Sequence, residues 1–324
     1  MSTFSELVMA QFLKFVQEKN GGVPGTQHEM EALFKEFQDQ FDAKALHDDL
    51  AGALPLTKET ARTVYDWLEL AEQQKTKKAR RECLEKAKAL DPKNLDVLMQ
   101  LLMLEKKQFW EYLPEVQKIL ALGKEDLKQR KLYRESMGDF YVVLETRPYM
   151  RVMHFYLELL AGCGMIQQAI AVAKEMLKLN RIDNLGIRYY LMALYVYSED
   201  EFNARKLIRT FKDEEDRCLF TMPMALLKFR QGNWDEAKAI LEKVKEQYKG
   251  FQTFLRDAVK GRDAFYEEEE EMMDMYQPNT RSELVTMVLD FHFLWDNTQQ
   301  FFLWAKTVMG PERKRREKSG KSSH

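Results

Sequence analysis

The chain has 324 residues, enough for two ordinary domains or one elongated array of repeats. Hydrophobic side chains make up 45% of it, enough for a packed core, while 50 basic against 52 acidic residues leave a formal charge of −2. That balance lacks the basic excess that phosphate neutralisation needs, so nucleic acid is not an expected partner. With only 14 Gly and 8 Pro, the turns of a sandwich or a doubly wound sheet are missing, and long helices with short connections are expected.

Three widely spaced cysteines (Cys83, Cys163 and Cys218) form no C-x-x-C pair and fit a reducing compartment, where Cys acts as a small hydrophobe. The opening Met1-Ser2-Thr3-Phe4-Ser5-Glu6 has neither the basic stretch nor the apolar run of a signal peptide. No stretch approaches the ~18 consecutive apolar residues of a membrane helix. A cytoplasmic protein with no membrane partner is expected.

In chain order, residues 1–56 predict a helical segment. Phe4, Leu7, Val8, Phe12, Phe15 and Val16 recur at the spacing of one helical face. Asn20 to Gly25 breaks the chain. Thr26, with Glu29 three residues on, suits a capping box for a second helix carrying Met30, Leu33, Phe34, Phe37 and Phe41. A linker is expected around Asp48 to Thr57, with Pro55 as its stop.

From residue 57 to 309 the pattern becomes repetitive. Ala161 to Ala169 (AGCGMIQQA) parallels Phe229 to Ala237 (FRQGNWDEA): Gly164 to Gly232 is 232 − 164 = 68 residues, as is Ala169 to Ala237, and Ala204 lies within one residue of the midpoint. Gly at each turn allows φ > 0 and a tight reversal, and the small Ala lets the second helix lie close against the first. Ala79, Leu84, Ala87, Leu90 and the stop Asp91-Pro92 give a further, less regular instance. Residues 310–324 are basic, lack large apolar side chains, and are expected to form a disordered tail.

A period of 34 with Gly at the turn, Ala in the second helix and Pro at the end resembles the tetratricopeptide repeat. The units run Met150–Asp183, Asn184–Arg217 and Cys218–Phe251, with a weaker one at Ala61–Asn94 and a degenerate pair over 95–130. Glu145 to Arg151, Leu179-Asn180, Asp183 to Tyr189, Tyr276 to Thr280, Leu294-Trp295 and Trp304 are similar to motifs of a tetratricopeptide family common in Gram-positive bacteria. Two departures stand out. Leu185 replaces the Gln frequent in such relatives, and the tail lacks the Cys-rich metal module that many of them carry. The resemblance implies an all-α solenoid, an α/α superhelix of antiparallel helix pairs, with C-terminal aromatics (Phe291, Phe293, Trp295, Phe301, Phe302, Trp304) closing its last face. It implies no cofactor.

Motifs for chemistry are sparse. The five histidines (His28, His47, His154, His292, His324) show no metal-ligand spacing, and His154 and His292, in apolar surroundings, are expected to be structural. Gly320-Lys321-Ser322 ends like a phosphate loop, but Arg315 occupies the place of its first Gly. Glu267 to Glu271 reads as a solvated face. No nucleophile elbow or dinucleotide turn is present, and no enzyme is expected.

The cluster Asp183-Asn184-Leu185-Gly186-Ile187-Arg188-Tyr189 has two readings. It is either part of a ligand surface, or a helix start in which Asp183 or Asn184 caps and Arg188 pairs internally. Arg147-Pro148-Tyr149 stands equally open, since Pro is ordinary in a first helical turn.

The first helix of each tetratricopeptide pair lines the concave face. Positions five, nine and twelve are His154, Glu158 and Ala161, then Arg188, Met192 and Tyr195, then Met222, Leu226 and Phe229. No unit pairs Lys at five with Asn at nine, so a carboxylate clamp is not expected, and the third unit predicts an apolar surface for a peptide. The candidate partner-binding residues are therefore Arg147, Arg151, His154, Glu158, Arg188, Tyr189 and Tyr195. The expected function is a non-enzymatic scaffold for a protein or peptide. A peptide-sensing regulator is the alternative, and an unrecognised helical enzyme comes third.

Overall fold

The computed structural model describes residues 56–105, 107–265 and 278–310, together with Phe12, Val16, Lys19, Leu33, Lys35, Glu36 and Phe37. Most of the expected N-terminal segment, the acidic run 267–271, Tyr276, Gln277 and the basic tail from 311 lie outside the described residues. Phe12, Val16, Leu33 and Phe37 are helical and buried, as their predicted faces require. The described residues contain helices and no β-strand, and they group into two compact units, 1–156 and 157–324.

The first unit contains α1 (Val64–Glu72), α2 (Lys77–Leu90), α3 (Leu95–Met103), α4 (Phe109–Gln129), the single turn α5 (Leu132–Glu135) and the first part of α6 (Arg147–Gly162). A capping box opens α1: Thr63 Oγ1 accepts from Asp66 N at 3.1 Å, and Asp66 Oδ2 accepts from Thr63 N at 2.7 Å. Asp91-Pro92 stops α2, and Asn94 Oδ1 caps α3 through Val97 N. Leu68, Ala71, Cys83, Leu84, Ala87, Val97 and Leu101 form one apolar cluster beneath α1 and α2. Gly123 of α4 is there for space: a Cβ would lie 2.6 Å from Leu95 Cδ1 and 3.1 Å from Tyr149 Cδ2.

The second unit continues α6 and adds α7 (Ile166–Leu179), α8 (Ile187–Tyr197), α9 (Glu201–Thr210), α10 (Cys218–Arg230), α11 (Trp234–Gln247), α12 (Phe251–Ala258), α13 (Arg281–Asp290), α14 (His292–Trp295) and α15 (Gln299–Met309). Three helix hairpins, α6/α7, α8/α9 and α10/α11, share one turn design. In the first, Met165 N donates to Leu160 O and Gly164 N to Ala161 O. Asp200 and Glu199 repeat this with Tyr195 and Val196, and Asn233 and Gly232 with Lys228 and Phe229. This is the Schellman double bond, with its left-handed residue at Gly164 (φ 71°), Glu199 (φ 55°) and Gly232 (φ 77°). Turn spacings are 199 − 164 = 35 and 232 − 199 = 33. Ala169, Ala204 and Ala237 have no accessible surface. The middle turn manages without Gly at a cost of about 1 kcal/mol.

The three C-terminal helices differ most from expectation. All of Tyr189 to Val196 on α8 is buried, as is α10 from Cys218 to Lys228 except the half-buried Thr221. At 3.6 residues per turn such runs cover every side of a helix. The cover comes from the chain itself: α13 packs on α10, α14 on α8, and α15 on α11 and α12. Phe229 meets Phe301 at 5.5 Å and Trp304 at 5.0 Å between centroids, and Tyr190 meets Phe291 at 5.6 Å. The apolar surface expected at Met222, Leu226 and Phe229 is therefore occupied, and Met222 and Leu226 are 0% and 1% exposed. This corrects the expectation of an open groove there. The aromatics expected only to cap the end of the array also seal its first helices.

Magnitudes decide whether a partner could lift this cover. Leu284, Val285, Met287, Val288, Phe291, Leu294, Trp295, Phe301, Phe302 and Met309 are each at most 5% exposed. Roughly 1.5–3 kcal/mol per side chain gives an upper bound of roughly 15–30 kcal/mol. A micromolar peptide supplies about 8 kcal/mol. The cover is part of the core.

Candidate functional site

Most of the predicted anchors are engaged inside the protein. Arg147 Nε donates to Tyr141 O at 2.7 Å, and its guanidinium lies 5.2 Å from the Tyr141 ring. Arg151 makes a two-point pair with Asp96 (Nε–Oδ1 2.9 Å, Nη2–Oδ2 2.5 Å), a geometry that fixes α6 to the start of α3. His154 is half-buried one turn further along α6.

The Asp183–Tyr189 cluster is a helix start. Asp183, itself at φ 55°, accepts from Ile187 N at 2.8 Å and Arg188 N at 2.9 Å, and its carboxylate also takes Arg188 Nη1 at 2.8 Å. The other edge of that guanidinium meets Glu214 (Nη2–Oε1 2.9 Å, Nε–Oε2 3.2 Å), to which Tyr189 Oη also donates. The Tyr189 ring lies 4.3 Å from the Arg188 guanidinium. Arg188 thus ties the turn before α8 to the turn before α10.

Tyr195 is buried too, with Lys174 Nζ of α7 5.5 Å from its ring. The face carrying Arg188, Met192 and Tyr195 therefore meets neighbouring helices and not an open cleft, which corrects the assignment of those positions to a groove. The side of α8 that meets the C-terminal cover bears Tyr190 and Tyr197, seven residues apart. Phe293 stacks on Tyr190 at 5.3 Å and leans on Tyr197 at 5.9 Å.

At the edge of that cover a cluster of charged and aromatic side chains gathers. Its groups are Glu158 of α6, Tyr190 and Tyr197 of α8, and Asp290, His292 and Phe293 of the α13–α14 corner. Glu158, Asp290 and Tyr197 are exposed. His292 was expected in apolar surroundings, but its side chain is 43% exposed and its Nδ1 is 3.5 Å from Asp296 Oδ2. Solvent reaches Glu158, yet desolvation by the surrounding protein raises its carboxyl above the ordinary value, with His292 nearby opposing. Burial likewise raises the Tyr190 hydroxyl, and the charges of Glu158 and Asp290 add to it.

Carboxylates beside aromatic rings suit a cationic or hydrogen-bond-donating side chain. Sequence reasoning found Glu158, placed Phe293 only in the C-terminal cap and His292 as structural, and missed Tyr190, Tyr197 and Asp290. Only the seven-residue spacing of the two tyrosines could have pointed to them.

Among the described residues no group of three or more His, Cys, Asp or Glu is placed to hold a metal ion, and no helix is long and apolar enough to cross a membrane. No family model, curated protein or solved structure matches the chain.

Proposed function

We propose that the chain is a non-enzymatic helical-repeat scaffold of the tetratricopeptide type, cytoplasmic, that holds a protein or peptide segment. The repeat reading is supported by three hairpins with turn spacings of 35 and 33 and one shared turn design. The observation that carries the binding reading is the cluster of Glu158, Tyr197, Asp290, His292 and Phe293 at the edge of the cover. It is reachable, whereas the inner surfaces of α8 and α10 are closed. The segment it suits carries a basic side chain, which the two carboxylates and the aromatic edge would receive together.

The test is affinity capture from a bacterial lysate with wild type and with a Glu158→Lys/Asp290→Lys double variant. Both positions are exposed, so the fold is expected to survive, which circular dichroism checks. The scaffold reading expects a partner retained by the wild type and lost by the variant. A partner retained equally by both removes this cluster as the site. Arg151 and Arg188 are unsuitable for this test, because their loss would break internal ion pairs.

A further inference from the structure

The first unit holds a cavity of about 430 Å³, within the range of roughly 300–1,000 Å³ typical of clefts that hold small organic ligands. It opens between the start of α3, the last turns of α4 and the first turn of α6. Its floor is apolar: Leu95, Leu127 and Tyr149 are buried there, and Leu95 and Tyr149 are seated against the bare Cα of Gly123. Around the mouth stand three acids, Asp91, Asp126 and Glu145, and two bases, Lys93 and Arg130.

Four of the polar groups have structural work. Asp91 Oδ1 accepts from Lys93 N at 3.1 Å, Asn94 Oδ1 caps α3, and Asp126 Oδ2 pairs with Arg130 Nη1 at 3.4 Å. What remains is one cation and one anion. Among the described residues, neither the Lys93 ammonium nor the Glu145 carboxylate makes a hydrogen bond or an ion pair.

This arrangement selects by charge. A ligand of high negative charge would meet three carboxylates, and one of high positive charge two bases. A zwitterion meets one uncommitted partner of each sign, and the floor leaves room for an apolar body. We infer that this cavity binds a small zwitterion with an apolar side chain, a free amino acid or dipeptide. Its carboxylate would turn to Lys93, its ammonium to Glu145 and its side chain to Leu95, Leu127 and Tyr149. The site is separate from the charged and aromatic cluster of the second unit and stands or falls independently of it.

Calorimetric titration of the full chain with L-leucyl-L-leucine, N-acetyl-L-leucyl-L-leucine and L-leucyl-L-leucinamide tests this, with L-leucine as the smaller arm. The expected result is binding of the free dipeptide or of leucine, weakened about tenfold or more when either end of the dipeptide is blocked. Glu145→Gln should abolish the discrimination against the acetylated probe and leave that against the amide. Lys93→Gln should do the reverse. Both side chains are exposed, so neither substitution threatens the fold. No heat with any probe at millimolar concentration, equal binding of all the dipeptide probes, or discrimination unchanged in both variants would overturn the assignment.

Discussion

Phe293 stacks on Tyr190 with ring centroids 5.3 Å apart and planes 30° from parallel, which joins the C-terminal corner of the chain to a helix about a hundred residues earlier. Phe291 meets the same tyrosine edge-on. These contacts, with those of Phe229, make residues 281–309 the cover of the hairpins before them. Phe291→Ala is therefore expected to destabilise the second unit by about 3–5 kcal/mol, as a buried aromatic truncation does. Urea unfolding measures it, and a loss below about 1 kcal/mol would mean that the cover is loosely held.

The cover is also pinned electrostatically. Glu283, 1% exposed, accepts from Arg217 Nη2 at 2.5 Å and from Asn279 N at 2.8 Å. Glu283→Ala takes the acceptor from the Asn279 N–H and from a half-buried guanidinium, so a loss of about 1–3 kcal/mol is expected. The double variant Arg217→Met/Glu283→Leu should recover part of that loss in the same unfolding assay, since removing both charges leaves neither unpaired.

Lys228 is buried against Glu201 (2.6 Å) and Glu236 (3.2 Å). The Lys228 bond first, then that of Arg205, hold the Glu201 carboxyl well below its ordinary 4.5, at about 2. Since the folded value is the lower one, this contribution to stability is complete above about pH 4.5 and is lost as pH falls through about 2. Glu201→Gln should flatten the stability profile across that window. A variant profile parallel to the wild type between pH 5 and 2 would show that the pair contributes nothing.

The hairpin register makes a prediction in both directions. Ala237 has no accessible surface while Ala239 is exposed. Ala237→Arg is expected to cost more than about 3 kcal/mol and Ala239→Arg almost nothing. At the middle turn, Glu199→Gly relieves a left-handed non-glycine residue and should stabilise by about 0.5–1 kcal/mol in thermal unfolding. Equal melting of the two Arg variants would place the repeat boundaries elsewhere.

The hairpins were legible in the sequence because Gly164, Gly232 and the alanines at 169, 204 and 237 carry the turn and packing constraints directly. Glu199 concealed the middle turn, because hydrogen bonding there tolerates a strained residue. The cover was not legible. Leu284, Phe291 and Trp295 read as buried but say nothing of what buries them, and apolar periodicity carries no address. Arg188 and Glu214, 26 residues apart, read as surface charges until the two turns bring them together. For the same reason the anchors chosen from charge were the ones most engaged internally. Glu158 alone among them proved exposed, in the charged and aromatic cluster beside the cover.

Residues 281–309 are a permanent part of the core and leave partners only the outer surfaces. Native-state hydrogen exchange read by mass spectrometry tests it most directly. Peptides from Arg281–Asp290, Ile187–Tyr197 and Cys218–Arg230 should open with one common free energy, equal to that of global unfolding of the second unit. Exchange in 281–290 that is much faster than in 187–197 would contradict it, showing a cover that lifts and an inner surface that a partner can reach.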